Sequence, residues 1–358
     1  MPRLIAFFGN CQSGSLCTLY ERCVVPITGD RVAYIASYSD LDSSGADTVA
    51  SADILVNQVL DFAPDPRQVS ASTRVVLVPH VAAPFLWPCS GTPHPSNSPA
   101  PYLDPSGPYD AELGDSFLNK LIAQNVPPEL AVFEYLAADI PRLRQVDRMR
   151  EIALDRQRMR DQACGGYGVA DLIDSRIASE KLFCTVNHPE RMLALRLAAE
   201  VFERIGVPGE CLDAVEAYTD RLFPPNEAPI HPAVARHFGL SYADANTRYR
   251  FFDEGRFTFT EYAHRYMNYA WNPDLPFGMH LAREGQHEQA IEVLQRAVEA
   301  SPGSAAGRAV LADLLADRGE IAEAAKLAKR AAELEPTDAH INARAAHIHK
   351  LWAQAIQQ

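Results

Sequence analysis

The residues best suited to chemistry lie in one short segment near the N-terminus: Gly9, Asn10, Cys11, Gln12 and Ser13. The segment follows a wholly apolar run over residues 4–8, typical of a strand buried in a parallel sheet, and leads into a helix-like stretch over residues 13–23. At a helix N-terminus, free backbone N–H groups stabilise a cysteine thiolate and can bind an oxyanion. The segment therefore predicts an active-site loop. A capped turn with a buried cysteine is the structural alternative.

Two later segments place further polar side chains where predicted strands end. Asn57 and Gln58 follow a predicted strand over residues 52–56, and Asn187 and His188 follow a predicted strand over residues 182–186. Of the eleven histidines, His188 is the best placed to act as a general base, although a histidine in such a turn often has only a structural role. Because the carboxyl ends of parallel strands meet at one edge of a sheet, we expect the three segments to converge on one crevice.

The alternation of strand-like and helix-like stretches predicts an α/β domain with a mostly parallel sheet. A proline-rich segment over residues 79–109 excludes regular structure, and its Phe85 and Trp87 predict a packed, functional loop. Besides the run at residues 4–8, the predicted strands are residues 31–35, 52–57, 73–78 and 181–186, and the main predicted helices are residues 116–124, 128–160 and 189–205.

The last part of the chain contains a helical repeat, in which small and apolar residues recur at a spacing of 34 residues. This spacing predicts tetratricopeptide-like units. About two units and a final helix over residues 338–358 are marginal alone, so we expect them to dock on the main domain or on a second subunit. The predicted domains are residues 1–270 and 276–358. The recurring residues are Leu281, Gly285, Ala290, Ala297 and Pro302, matched by Leu315, Gly319, Ala324, Ala331 and Pro336.

The composition narrows the class of protein. A chain of 358 residues with 47% hydrophobic and 22% charged residues predicts a globular protein of about two domains. A formal net charge of −13 disfavours binding of nucleic acid or of an anionic membrane surface. Seven cysteines without a Cys-x-x-Cys pair predict free thiols and no metal site. Because no stretch reads as a signal peptide or a membrane span, we expect a cytoplasmic protein.

Together these motifs resemble the WcbI type of polysaccharide-biosynthesis acetyltransferase, over roughly residues 1–270. The resemblance rests first on Gly-Asn-Cys-Gln after the N-terminal strand, on Asn-Gln after a later strand, and on Leu182-Phe183-Cys184-Thr185-Val186-Asn187-His188-Pro189 before a long helix. Further matching stretches are Gly114-Asp115-Ser116, Val169-Ala170-Asp171-Leu172-Ile173, Ile230-His231-Pro232, Thr247-Arg248-Tyr249-Arg250-Phe251 and Glu261-Tyr262.

The resemblance implies a coenzyme A-binding protein that transfers an acetyl group from acetyl-CoA to a sugar hydroxyl of a surface or capsular polysaccharide. It implies a three-layer α/β fold similar to SGNH hydrolases and flavodoxins, with Cys11 where those hydrolases place their serine. The residues carried over are Cys11, Gln12 and His188, with Asn57 and Gln58 as weaker matches. The repeat tail departs from the family pattern and indicates a different acceptor or a partner-docking role.

Two acyl-transfer routes fit these residues. In the first, Cys11 takes the acyl group as a thioester before His188 deprotonates the acceptor hydroxyl, and in the second His188 activates the hydroxyl for direct transfer. Asp171 and Asp174 are candidates for orienting His188, chosen only by their proximity in sequence. The candidates for oxyanion or substrate binding are Gly9, Asn10, Gln12, Ser13, Asn57, Gln58 and Asn187.

The sequence leaves several assignments open. An arginine-rich stretch over residues 142–160, Lys120 and Arg191 are candidates for the coenzyme A phosphates, with a solvated helix face as the alternative for the stretch. Asp115 is interpreted as a helix cap, although Gly114-Asp115-Ser116 has the letters of the SGNH serine motif. The predicted partners are acyl-CoA and a glycan or nucleotide-sugar acceptor, with a protein partner or self-association through the tail. The alternatives are a carbohydrate ester hydrolase and a non-catalytic scaffold.

Overall fold

The computed structural model describes residues 2–38, 43–60, 69–97, 108–220, 222, 226–252, 254–269, 274–300, 304–336 and 338–356. The chain forms two compact units, which are treated one at a time. Unit 1 comprises Met1–Pro88, Asp139–Pro224 and Ile230–Asp244, and unit 2 comprises Cys89–Ala138, Pro225–Pro229 and Ala245–Gln358.

Unit 1 is built on a parallel four-stranded sheet with the strand order β2-β1-β3-β4. Strands β1 and β3 are the inner strands and are buried along nearly their whole length, which accounts for their continuous apolar sequences. The predictions of four parallel strands are confirmed, with ends shifted by one or two residues. The strands are β1 (Leu4–Gly9), β2 (Arg31–Ala36), β3 (Ile54–Val59) and β4 (Arg74–Pro79).

Helices on both faces of this sheet complete a three-layer arrangement. On one face the rings of Phe7, Tyr20 and Phe202 pack together, joining β1 to helices α1 and α9, and on the other face Val49 of α3 belongs to the same apolar cluster as Ala6 of β1. The helices of unit 1 are α1 (Cys11–Cys23), α2 (Val25–Thr28), α3 (Ser43–Ser51), α6 (Ile140–Leu143), α7 (Val146–Ala163), α8 (Val169–Arg176), α9 (Arg191–Ile205), α10 (Gly209–Glu216) and α11 (Pro232–Phe238).

The stretch predicted as one helix over residues 128–160 is three helices, namely α5 (Pro128–Ala137) of unit 2 followed by α6 and α7. Pro141 lies in the first turn of α6, where it lacks an N–H to continue a preceding helix. Gln145 adopts a left-handed conformation (φ 51°), which separates α6 from α7. Pro141 and the left-handed conformation of Gln145 therefore divide the predicted helix, although the composition of the segment favours helix.

The predicted strand over residues 181–186 is wrong. The segment forms only one isolated bridge, between Phe183 and Pro189, and no ladder with the sheet. The backbone instead closes on itself, because the N–H of Cys184 donates to the carbonyl of His188 (2.8 Å) and the N–H of Glu190 donates to that of Leu182 (2.7 Å). A tight loop over residues 183–189, here called the His188 loop, therefore replaces the predicted strand end.

The proline-rich segment after β4 is irregular over its described residues, 80–97 and 108–109, apart from a short 3₁₀ turn (Pro84–Leu86). Phe85 and Trp87 are buried, so the segment is packed as predicted. Pro99, Pro101 and Pro105 lie outside the described residues.

Unit 2 begins with two helices and a small hairpin. Asp115 caps α4 by accepting hydrogen bonds from the N–H groups of Phe117 and Leu118, which confirms its interpretation as a helix cap. The elements are α4 (Ser116–Ala123), α5 (Pro128–Ala137), β5 (Tyr249–Phe251), β6 (Gly255–Phe257) and α12 (Phe259–Met267).

The remaining part of unit 2 is all-helical, as the repeat predicts. The small residues Ala290 and Ala324 are fully buried between helices, and Gly285 and Gly319 form the turns with φ of 74° and 91°. Pro302 of the predicted repeat lies outside the described residues. The boundary of the repeat domain near residue 276 stays a prediction. The helices are α13 (Asp274–Arg283), α14 (His287–Ala300), α15 (Ala305–Asp317), α16 (Ile321–Leu334) and α17 (Ala339–Ile356).

A nearly buried ion pair connects the repeat helices to the rest of unit 2. Arg250 of β5 contacts Glu335 at the end of α16.

Among the helices within the described ranges, none is long and apolar enough to cross a membrane.

Candidate active site

The site lies at the point where the strand order of unit 1 changes direction. The chain leaves β1 towards β2 on one side and later returns to β3 on the other. Parallel α/β sheets bind ligands in the crevice that this reversal opens at the carboxyl ends of the strands. Gly9 ends β1, Asn10 caps α1, and Cys11 is the first residue of that helix. The order of the strands thus places Cys11 at this crevice.

Gly9 is required by the closeness of its neighbours. Its φ is 156°, and a Cβ atom at this position would lie 2.3 Å from Oγ of Ser13 and 2.6 Å from Cβ of Gln58. Both distances are far below van der Waals contact, so only glycine fits between β3 and the first turn of α1. This close approach brings the carboxyl end of β3 against the segment that carries Cys11.

Two of the residues predicted to bind substrate also hold the loop in place. The side chain of Asn10 accepts a hydrogen bond from the N–H of Gln12 (2.9 Å) as the N-cap of α1. Ser13 is fully buried, and its hydroxyl donates to the carbonyl of Phe8 (3.3 Å). The capped-turn interpretation is therefore true of Asn10 and Ser13, while Cys11 remains half-buried.

Cys11 and His188 meet in the structure. The Sγ atom of Cys11 lies 3.3 Å from Nε2 of His188, although 177 residues separate them along the chain. Nδ1 of the same ring lies 3.0 Å from the hydroxyl of Thr185. Both members of the pair are half-buried. A thiol and an imidazole in hydrogen-bond contact are the arrangement in which the histidine can take the thiol proton and so activate the sulfur as a nucleophile.

The carboxamide of Gln12 connects three segments around this pair. Its Nε2 donates to the carbonyls of Val81 (2.8 Å) and Asn187 (2.6 Å). Its Oε1 accepts from the N–H of Val81 (3.1 Å) and from Nε2 of Gln58 (3.1 Å). A primary amide offers two N–H groups and two lone pairs, and all four are used here. Gln12 therefore has no group left for an oxyanion, and it fixes the His188 loop to α1.

Replacing Gln12 with methionine, which has a similar length and no hydrogen-bonding group, should lower the free energy of unfolding by about 1–3 kcal/mol, because buried partners lose their hydrogen bonds. Urea denaturation of the purified chain measures this. Gln162→Met, at an exposed position in α7, is the matched control and should change little. Equal stability of the two variants would contradict the role given to Gln12.

The two amides of β3 have different surroundings. Gln58 joins the site, because its Oε1 accepts from the N–H of Asn10 (2.9 Å) while its Nε2 contacts Gln12. Asn57 is also buried, but its side chain points to the opposite face of the sheet, as alternation along a strand requires. Its Oδ1 has no hydrogen-bond partner among the described residues. Asn187 contributes its backbone carbonyl to Gln12.

The aspartates considered for orienting His188 face other groups. Asp174 pairs with Arg150 (2.7 Å), and Asp171 lies 3.9 Å from Arg158. In the described part of the chain, neither carboxylate contacts His188, and the hydroxyl of Thr185 takes that position. These pairs also engage arginines of the stretch 142–160, which favours its interpretation as a solvated helix face.

Thr185 and Tyr34 belong to the site and were missed by the sequence analysis. Thr185 precedes His188 by three residues, a spacing at which a hydroxyl can reach back to the chain, and this was the available signal. Tyr34 donates to the carbonyl of Gly9 (3.3 Å), and its ring lies against Gly14 of α1. Burial and the contact with the Tyr38 hydroxyl raise the pKa of Tyr34, so it stays neutral beside Cys11. Nothing in the local sequence links Tyr34 to Cys11.

No group of three or more potential metal ligands occurs in the residues that the structure describes. The parallel sheet with a thiol–imidazole pair at its switch point defines an α/β protein with a candidate active site at the carboxyl ends of its strands. Residues 4–210, more than half of the chain, match the family described as "Polysaccharide biosynthesis enzyme WcbI". The chain belongs to this WcbI family of polysaccharide-biosynthesis enzymes. Residues 281–348 match the tetratricopeptide repeat.

A solved structure of WcbI, described as a novel polysaccharide biosynthesis enzyme, has a similar fold, with a TM-score of 0.50 and 16% sequence identity over 83% of this chain and 99% of that chain. It is described as the native protein without a disulfide bond between coenzyme A and one of its cysteines. No curated protein matches the chain. The predicted family and the predicted α/β fold with a helical tail are confirmed.

Proposed function

We propose that this protein transfers an acyl group, acetyl in the first instance, from acyl-CoA to a hydroxyl of a glycan precursor. The 3.3 Å contact between Cys11 and His188 at the switch point of the sheet is the observation that carries this proposal. Family membership supports polysaccharide biosynthesis as the setting. The description of the solved WcbI, which names coenzyme A and a cysteine together, supports acyl-CoA as the donor.

The covalent route uses the pair in two steps. His188 takes the proton of the Cys11 thiol, the thiolate attacks the thioester carbonyl, and the coenzyme A thiolate leaves and receives that proton. His188 then takes the proton of the acceptor hydroxyl, whose oxygen attacks the Cys11 thioester and releases Cys11, which regains the proton. Exchange between two thioesters is close to thermoneutral, so the acyl-Cys11 intermediate is accessible.

The direct route needs only His188. Here His188 deprotonates the acceptor hydroxyl, which attacks acyl-CoA itself, and the proton passes to the departing coenzyme A thiolate. Both routes develop negative charge on the carbonyl oxygen. The backbone N–H of Cys11 is the donor that we assign to this charge, since it has no acceptor among the described residues while the N–H of Gln12 already bonds Asn10.

Coenzyme A binding tests the proposal first. Calorimetry of the full chain with coenzyme A and with acetyl-CoA should give binding at or below millimolar concentration, and no binding of either would exclude the transferase. Repeated turnover of acetyl-CoA to coenzyme A and acetate without any glycan acceptor would instead indicate a hydrolase. Intact-mass analysis after mixing with acetyl-CoA should show one acetyl group on Cys11 if the covalent route operates.

We also propose that the two parts of the chain have different functions. Residues 1–270 form the acyl-transfer domain, and residues 276–358 form repeats that bind a protein partner or a second copy of the chain, as stacked helical repeats commonly do. A cytoplasmic location is part of the proposal, because acyl-CoA is made there. The seven cysteines are present as thiols and not as disulfides, which is compatible with a reducing compartment.

A further inference from the structure

We propose that Thr185 is the positioning residue of the site, which holds His188 in the tautomer whose unprotonated Nε2 faces Cys11. It would take the place that an aspartate occupies in a Ser–His–Asp triad. The inference rests on the proposed function insofar as His188 is the base of the reaction. The three-residue spacing makes the contact possible, and the folded loop brings the hydroxyl to the ring.

The geometry fixes the hydroxyl firmly. Thr185 is 2% exposed, and its Oγ1 lies 3.0 Å from Nδ1 of His188. The same oxygen accepts the backbone N–H of His188 (3.3 Å). Both residues lie within the His188 loop, which the Phe183–Pro189 bridge closes and Gln12 ties to α1. A β-branched side chain has few rotamers, so the hydroxyl is held in place at little further entropic cost.

The contacts of the Thr185 hydroxyl are compatible with the tautomer that the proposal assigns. A hydroxyl oxygen has two acceptor lone pairs, of which one receives the backbone N–H of His188 and the other can receive Nδ1–H. With the proton on Nδ1, the lone pair of Nε2 points to the Cys11 sulfur 3.3 Å away and can accept the thiol proton. In the other tautomer Nε2 carries a hydrogen, so the ring has no basic nitrogen towards Cys11 or an acceptor hydroxyl.

The neutral hydroxyl also changes the charge of the site relative to a carboxylate. An aspartate orients the ring and stabilises the imidazolium that forms, whereas a threonine hydroxyl orients the ring with a weaker effect on its charge. The Thr185 hydroxyl therefore adds no charge to the site. Introducing a carboxylate by Thr185→Asp should move the acid limb of the pH–rate profile to higher pH.

Two readouts test Thr185 without any acyl transfer, so failure of this inference can be told apart from failure of the proposed function. The first is the ¹⁵N NMR spectrum of the imidazole of His188 in the full chain, which reports which ring nitrogen carries the proton. The second is the rate at which iodoacetamide alkylates Cys11, followed by mass spectrometry across pH. Thr185→Val removes the hydroxyl at constant shape, and Thr185→Ser retains it.

Thr185→Ser should resemble the wild type in both measurements. Thr185→Val should lose the preference for Nδ1–H and slow alkylation near neutral pH by roughly tenfold, the effect of one hydrogen bond to the ring. Unchanged tautomer and alkylation in Thr185→Val would overturn the inference. A lowered melting temperature with an unchanged tautomer would also overturn it, since Thr185 would then support only the fold.

Discussion

Replacing His188 with glutamine should lower the rate of acyl transfer by a factor of about 10²–10⁴, while the affinity for coenzyme A stays close to that of the wild type. Glutamine keeps a polar side chain of similar length in the His188 loop, but it cannot accept a proton and return it. In both proposed routes that proton transfer activates the attacking group. The expected loss therefore lies in kcat, and the KM for acyl-CoA should change little.

Paired variants at Cys11 distinguish the two routes. Cys11→Ala should abolish the acetylated intermediate in intact-mass spectra, and it should lower the rate by a factor comparable to that of His188→Gln if the covalent route operates. Full activity of Cys11→Ala would leave direct transfer as the mechanism.

The matched control for His188→Gln is His347→Gln, at an exposed position in α17, which should retain full activity. Full activity of His188→Gln would remove His188 from both mechanisms.

Gly9→Ala should lower the free energy of unfolding by about 2–4 kcal/mol, a large part of the total stability of a typical domain. The added methyl group would lie 2.3 Å from Oγ of Ser13, 2.5 Å from Oε1 of Gln58 and 2.6 Å from its Cβ. The first two atoms can rotate away, but the Cβ of Gln58 is fixed by the backbone of β3 between β1 and β4. Relief therefore requires β3 and α1 to separate, which also breaks the hydrogen bond between Gln58 and Asn10.

Urea denaturation measures this loss, with Gly209→Ala as the control. Gly209 begins α10, and a Cβ there would meet no atom within 4 Å, so alanine should be neutral or slightly stabilising. If Gly9→Ala also weakens coenzyme A binding at temperatures where the variant remains folded, the close approach of β3 to α1 shapes the binding crevice as well as the fold. A stability equal to that of Gly209→Ala would contradict the close packing at Gly9.

Much of the fold follows from local sequence. The apolar run at residues 4–8, the small residues at a 34-residue spacing and the cap at Asp115 are patterns whose structural meaning depends on near neighbours, and all three were predicted correctly. The strand predicted at residues 181–186 was wrong because an apolar sequence alone does not specify a strand. Leu182 and Phe183 are buried, but the loop closes through its own hydrogen bonds and forms no ladder with the sheet.

The sequence by itself determined that Cys11 lies between a buried strand and a helix and that His188 lies in a turn ahead of another helix, whereas the structure shows that the first helix begins at Cys11. The contact between them, the saturation of Gln12 and the place of Thr185 at the imidazole were decided only by tertiary structure. The first two depend on groups far apart in the chain, such as Gln12 with Val81 and Asn187, and the third depends on how the His188 loop folds. Short-range patterns specify which backbone conformation a segment prefers, whereas the partner of a hydrogen-bonding group is set by which segments pack together.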